Sequence, residues 1–425
     1  MRGYAVVVTT GSAGDLFPFL KLASSLRDSG LAISFVGPSL HAELVAQAGF
    51  TFHGTFADPA VLDDPDVWHP RRGFGIIWRA VRPGMRELGP IVAALPRREP
   101  CVIVTHPLAV HEALLCRERR PDLRVVLAYL APSNIPTVYD PLMFGPVRVP
   151  RWVPRGARRW LWKTIGKRLV DPVVMPDING DRAQAGVAPA TSLFALLKNG
   201  PDLSVTLFPQ WFGAPKPDWP QPLACGDFAL FDPNPDAAFS DELAAFLANG
   251  EAPLIFTPGT ANRQARTYFS HALAACAALG KRAIFLTPHR AQIAENLPPD
   301  VLWQSYLPLR KLLPHAAALI HHGGIGTTAE ALRAGIAQLI VALAYDQFDN
   351  AWRVETLGAG LGLTKARLNT PRLIAILRKL LSSHHIRSRC NVLSNGLAGD
   401  AAWQGMIESI SKTTANGQEA EPPAR

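Results

Sequence analysis

Short β-rich runs alternate with helical stretches along the whole chain, and no other feature restricts the fold so strongly. In the first half the runs are YAVVVT, AISFV, CVIVTH, RVVLAYL and LSVTLF; in the second they are PLIFTPG, RAIFL, AAALIHH and QLIVALA. Alternation of this kind builds parallel sheets covered by helices on both faces. At 425 residues the chain is longer than one hydrophobic core usually serves, so two such sheets are expected. The expected fold class is α/β, with two doubly wound Rossmann-like domains facing a cleft. The expected domains are 1–215 and 236–395. Between them, residues 216–235 are rich in proline and turn residues and read as an interdomain connection. A C-terminal helix, 396–412, is expected to pack back across the domains, and 413–425 reads as a disordered tail.

Composition excludes several classes. A hydrophobic content of 48% with 18% charged residues is that of a globular protein. No apolar run approaches the roughly 20 residues that span a bilayer, and the opening MRGYAVVVTTGSAGD turns polar too soon for a secretory signal. Five scattered cysteines without a CxxC pair argue against a disulfide framework or a zinc site. A cytoplasmic setting follows. The net charge is +9, and residues 148–168, RVPRWVPRGARRWLWKTIGKR, concentrate eight Lys or Arg and three Trp without an acid. That stretch is either a solvated basic helix with inward tryptophans or an interfacial segment grazing the inner face of the plasma membrane. Nucleic acid is disfavoured, because no zinc finger, helix-turn-helix or RNA-binding signature accompanies the charge.

In doubly wound sheets ligands bind beyond the carboxyl ends of the strands. Three loops occupy that position: TTGSAGDLFPF, TPGTANR and HHGGIGTTAEALRAG. The first lacks the spacing of a dinucleotide fold, and no Walker A sequence is present. The third is a strand end, a glycine-rich turn and a helix start. Such a turn aims unpaired backbone N–H groups and the positive end of a helix at one place, which suits an anion.

The segment HHGGIGTTAEALRAGIAQLIVALAYDQFDNAWRVETLGAGLGL resembles the nucleotide-sugar signature of glycosyltransferase family 1, the GT-B-fold, inverting, UDP/dTDP-sugar-dependent enzymes. GSAGDLFPFL resembles the acceptor-side loop of that family. DDPDVWHPRRGFGIIWRAV and LFPQWFGAPKPDWPQPL are similar to the rhamnosyltransferases of bacterial rhamnolipid synthesis. The resemblance implies that His322, Gly324, Gly326 and Thr327 bind the donor diphosphate, with Gly259 and Thr260 contributing from the other side. Close approach needs the glycines, and Thr327 and His322 offer hydrogen bonds to phosphate oxygens. Glu330 is implied at the ribose, Tyr306 at the base, Asp346 and Gln347 at the sugar hydroxyls, and Asn350 beside them. His321 is expected to be buried behind the site. Ser12, Gly14 and His106 are expected on the acceptor side.

Asp15 stands where many members of the family place a histidine and other bacterial members an aspartate. It is either the base that deprotonates the acceptor or the cap of the helix that follows. Asp64-Pro65-Asp66 has the form of a metal-binding DxD but sits in a turn-like setting, and no metal or other cofactor is expected. The implied reaction moves a sugar, rhamnose favoured, from dTDP-rhamnose or a UDP/dTDP-hexose to a hydroxyl of a hydrophobic acceptor, a hydroxyacyl lipid or a lipophilic natural product. GFGIIWRAV and PTVYDPLMFGP are candidate walls for that acceptor. The alternatives are a nucleotide-sugar 2-epimerase of the same fold, which works without an acceptor, and a non-catalytic helper subunit of a transferase.

Overall fold

The computed structural model describes residues 3–95, 100–234, 238–396 and 400–415. The chain forms two compact units, 1–231 with 400–425 and 232–399. In the first unit, β1 (Tyr4–Val8), β2 (Ala32–Pro38), β3 (Thr51–Thr55), β4 (Cys101–Thr105), β5 (Leu123–Tyr129), β8 (Leu203–Thr206) and β9 (Leu223–Cys225) form one sheet in the order β3-β2-β1-β4-β5-β8-β9. A short antiparallel hairpin, β6 (Leu142–Phe144) and β7 (Val147–Val149), stands apart from it. The second unit carries β10 (Leu254–Thr257), β11 (Ala283–Leu286), β12 (Val301–Gln304), β13 (Ala318–His321), β14 (Gln338–Ala342) and β15 (Gly360–Thr364), in the order β12-β11-β10-β13-β14-β15. Every pairing within the two large sheets is parallel.

The central strands are buried along their whole length: Cys101–Thr105, Leu254–Thr257 and Ala318–His321 have no exposed position. Burial on both faces is what their continuous apolar sequences require. Leu223–Cys225 lies inside the stretch expected as a connection, yet it pairs with β8 as the edge of the first sheet. The helix Ala401–Ala415 packs on the first unit, where Trp403, Met406, Ile407 and Ile410 are buried and the Trp403 indole donates to Ser25 Oγ at 2.9 Å. It runs through Thr413–Ala415, three residues into the expected tail; 416–425 lie outside the described residues.

Strand order decides where a site can form. In the first sheet the order reverses between β1 and β4, so the loops leaving those two strands diverge and open a crevice at their carboxyl ends. In the second sheet the same reversal falls between β10 and β13. The four loops concerned carry Asp15, His106, Gly259 and His322.

Candidate functional site

The two switch-point loops of the second unit meet around His322. After β13 the backbone turns at Gly323, whose φ of +95° excludes most side chains. A helix then runs Ile325–Arg333, with Gly324 at its N-cap and no acidic residue in its first turn. Its first N–H groups have no partners inside an α-helix and carry the positive end of the helix dipole. A Cβ on Gly326 would meet nothing within 4 Å, so the space above the helix start is open to a ligand.

The His322 ring sits between two glycines. A Cβ on Gly259 would lie 2.7 Å from His322 Cε1, and one on Gly324 would lie 2.5 Å from Nε2. Gly259 itself adopts φ +86°. Both glycines are therefore needed for the imidazole to stand where it does. Nδ1 of His322 is buried without a hydrogen-bond partner, and burial lowers the ring's pKa to about 4. The ring is neutral at pH 7 and has an unspent hydrogen-bonding position. Behind it His321 is fully buried: Gly323 N–H donates to Nδ1 at 3.1 Å, so Nε2 carries the proton and donates to Gln338 Oε1 at 2.9 Å. His321 braces the loop, in agreement with its expected place behind the site.

At the far end of the same loop region, Glu330 accepts from Arg333, with Nε at 2.9 Å. Its carboxyl pKa is raised, first by burial, against the lowering influence of Arg333. Tyr306 is 47% exposed, and burial of its hydroxyl together with the nearby Asp232 and Glu330 charges pushes its pKa to about 12. Tyr306, Glu330 and Asp232 thus share one neighbourhood. Asp232 and Arg333 carry no motif, and sequence reasoning missed them both.

The acid–amide pair stands at the start of a helix. Asp346 is the N-cap residue of the helix Gln347–Leu357. Gln347 is 4% exposed, and its Oε1 accepts from the N–H groups of Leu343 at 2.8 Å and Ala344 at 3.1 Å. Asn350 is fully buried, and its Nδ2 donates to Gly323 O at 2.9 Å and to Asp346 Oδ2 at 2.8 Å. Asn350 therefore holds the glycine turn and the Asp346 carboxylate through Nδ2, while its buried Oδ1 has no hydrogen-bond partner. Gln347 likewise holds its own turn with its carbonyl oxygen. Sequence reasoning also passed over Tyr345. It is the one non-glycine residue with positive φ among the described residues, at +55°, and 46% of it is exposed immediately before Asp346. Thr260 is exposed, and its carbonyl lies 3.2 Å from His289 Nε2.

In the first unit Asp15 is the third residue of the helix Ala13–Asp28, and Ser12 is the N-cap. Ser12 N–H donates to Asp15 Oδ2 at 3.0 Å. Gly11, at φ +86°, makes room, since a Cβ there would overlap the Asp15 carboxylate. Gly14 is exposed in the first turn. His106, at the end of β4, accepts at Nδ1 from Thr10 Oγ1 at 3.0 Å and Leu108 N–H at 3.2 Å. Its proton is therefore on Nε2, which faces Asp15 Oδ1 at 3.8 Å. Burial lowers the His106 pKa to about 3, so the ring is a neutral donor. Crowding around the Asp15 carboxyl raises its pKa from 3.8 to about 6, although 36% of the side chain still meets solvent. A carboxylate with that pKa is close to the optimum for a general base at neutral pH. The capping interaction and the base chemistry are compatible in one side chain, because Ser12 engages Oδ2 and leaves Oδ1 towards His106.

Two other clusters do not form sites. Asp64 accepts from Asp66 N–H at 2.8 Å and Asp66 pairs with Arg72, so the DxD triplet is a turn closed on itself. His111, Glu112 and Asp181 place ligand atoms within 4.8 Å of one another. Arg82, however, pairs with both carboxylates and already supplies the positive charge.

Residues 270–411 match the family model of the erythromycin biosynthesis protein CIII-like C-terminal domain. Over 96% of its length the chain is 28% identical to O-mycaminosyltylonolide 6-deoxyallosyltransferase of Streptomyces fradiae, covering 97% of that protein. Among solved structures it resembles the glycotransferase of kitacinnamycin, with a TM-score of 0.74 at 18% identity over 98% of this chain and 99% of that one. It also resembles spinosyn rhamnosyltransferase SpnG complexed with thymidine diphosphate, with a TM-score of 0.63 at 20% identity over 93% and 96% of the two chains. The two parallel-sheet units thus have the GT-B fold.

Proposed function

Taking the chain for what its relatives and its fold make it, a glycosyltransferase of GT-B architecture, we propose that it moves a deoxyhexosyl or hexosyl group, rhamnose favoured, from a dTDP- or UDP-sugar to a hydroxyl of a hydrophobic acceptor, with inversion and without a metal. One observation carries this reading. An unpartnered imidazole nitrogen stands beside an open helix N-terminus, in a pocket that two glycines keep clear.

The proposed chemistry assigns separate tasks to the two units. In the second, the first-turn N–H groups of Ile325–Arg333, the Thr327 hydroxyl, His322 and the Gly259–Thr260 loop hold the diphosphate. They are fixed before the reaction, so they stabilise charge as it accumulates on the leaving group at little reorganisation cost. Glu330 takes the ribose and Tyr306 the base, while Asp346, steadied by Asn350, takes sugar hydroxyls. In the first unit Asp15 accepts the acceptor's hydroxyl proton, helped by His106 and Ser12 on either side. The freed oxygen attacks the anomeric carbon, the bond from that carbon to the β-phosphate oxygen breaks, and the nucleoside diphosphate leaves with both electrons.

A deoxysugar donor and a natural-product acceptor are supported by the 6-deoxyallosyltransferase relative and by the rhamnosyltransferase whose structure holds thymidine diphosphate. We place the enzyme in the cytoplasm; no helix among the described residues is long and apolar enough to cross a membrane. The test is calorimetric titration of dTDP and UDP into wild-type protein and His322→Ala, followed by product analysis with dTDP-rhamnose and a panel of lipophilic alcohols. Loss of one hydrogen bond to a charged oxygen should weaken nucleotide binding by about 10- to 100-fold. Equal affinity in the variant refutes the grip. Isomerised donor without transfer marks an epimerase, and binding without turnover marks a helper subunit.

A further inference from the structure

The basic, tryptophan-rich stretch of the first unit is not used by the proposed chemistry, and its two faces differ sharply. The inward face of the helix Arg155–Ile165 is fully engaged. Arg158, nearly buried, donates to Val153 O at 3.0 Å and Asp140 O at 3.2 Å. The Trp162 indole donates to Thr137 O at 2.8 Å and packs edge-on against Phe194. Of the three tryptophans, Trp162 follows the inward-facing reading, and Trp152 and Trp160 do not.

The outward face is largely exposed, with Arg155 lying over the Tyr139 ring at 4.5 Å. Trp152 is 82% exposed and Trp160 66% exposed, with Val147 at 61% nearby in the chain. Around them Arg148, Arg151, Arg155, Arg159, Lys163, Lys167 and Arg168 are all exposed. No acid occurs between Asp140 and Asp171. Asp140, itself buried, pairs with Arg151 at 3.7 Å and Lys216 at 3.2 Å, so it offsets little of this charge. Leaving two indoles this far in water is costly for a globular surface.

We propose that this face is a docking surface for an anionic phospholipid bilayer. The argument is complementarity of charge and of polarity. Indoles favour the headgroup layer, where an apolar body and a polar N–H are both accommodated. Cations flanking them are drawn to a negatively charged leaflet. Arg155, Arg159 and Lys163 recur every four residues along the helix Arg155–Ile165, which sets them on one stripe, the arrangement of an interfacial helix lying on a membrane; Lys167 and Arg168 follow in the π-helical turn Gly166–Val170. Single-stranded nucleic acid is bound in grooves lined by stacking platforms instead. This inference does not depend on the proposed acceptor or donor, and its test needs neither.

The experiment is flotation of the full chain with vesicles of phosphatidylcholine alone and of phosphatidylcholine containing phosphatidylserine. Wild type should float with the anionic vesicles only and be released as salt is raised to about 0.5 M. Each basic residue contributes about fivefold to partitioning. The triple variant Arg155→Gln, Arg159→Gln, Lys163→Gln should therefore lose roughly a hundredfold. Trp152→Ser with Trp160→Ser should weaken binding to the same vesicles but leave its salt dependence in place. All five side chains are exposed, so unchanged circular dichroism and melting temperature confirm that the variants fold. The proposal is overturned if wild type does not float with anionic vesicles or if the variants float as wild type does. It is equally overturned if the face binds RNA oligonucleotides and not vesicles, or if the tryptophan variant converts a dimer to a monomer with no vesicle binding in either protein.

Discussion

Replacing Asp15 by Asn separates catalysis from capping, because Asn can keep the capping oxygen while removing the basic carboxylate. The folded chain raises the Asp15 pKa from 3.8 to about 6. A raised pKa means that the native state holds this proton more tightly than the unfolded chain does. Its contribution is fully present below about pH 4 and is lost as pH rises through about 6. At pH 7.5 the ionised carboxylate is therefore a cost to the fold. Two pKa units correspond to about 3 kcal/mol at most. With 36% of the side chain in solvent, screening reduces this to roughly 1 kcal/mol.

Asn keeps an oxygen for the Ser12 N–H and removes the charge. Asp15→Asn should thus gain about 1 kcal/mol at pH 7.5, a rise of roughly 2 °C in melting temperature, and the gain should vanish near pH 4. Turnover should fall by about 10²- to 10⁴-fold, the usual contribution of a general base. In the wild type kcat/KM should climb with pH through about 6 as Asp15 ionises, and the variant should lack that limb. Scanning calorimetry at the two pH values and a pH–rate profile provide the data. Were Asp15 only a cap, its replacement would leave turnover within tenfold of wild type; that result refutes the base.

Gly259→Ala forces a side chain into φ +86° and towards His322. It should cost about 1–2 kcal/mol of stability and weaken nucleotide binding together; calorimetry showing intact dTDP or UDP affinity would refute the steric account of the grip. Arg82→Ala leaves the buried Glu112 carboxylate without its cation and should destabilise by about 3–5 kcal/mol in urea titrations. A loss under 1 kcal/mol would show that the cluster is not an ion-pair core. Tyr345→Gly relieves a left-handed conformation at φ +55° and should stabilise by about 1 kcal/mol. A lower melting temperature would mean that the ring's packing outweighs its strain.

Much of this architecture is legible in the sequence, and the unread part has a common physical origin. All nine strand runs taken from the sequence are strands, and they include every interior strand of both sheets. The four unread strands of the large sheets, β3, β9, β12 and β15, are their four edges. Edge strands are covered on fewer sides, so they need no continuous apolar run: Thr51–Thr55 and Leu223–Cys225 are mostly part-exposed. In the candidate site the glycine-rich turn was legible because a tight passage from strand to helix needs glycine, as the positive φ of Gly323 shows. The contacts of Asn350 were not, because a motif position does not reveal which way a side chain points. Here the amide turns inward to Gly323 and Asp346.

Sequence by itself determined the class of fold, the interior strands and the glycine-rich turns at the strand ends, since each depends on neighbours in the chain. Only the tertiary structure decided which distant loops meet. Strand order places the loop after β1 beside that after β4, and the loop after β10 beside that after β13. That order joins Asp15 to His106 and Gly259 to His322. It also sets the burial that raises one carboxyl towards neutrality and keeps the imidazoles uncharged. Desolvation is a property of everything packed around a group, and no local stretch of sequence contains it.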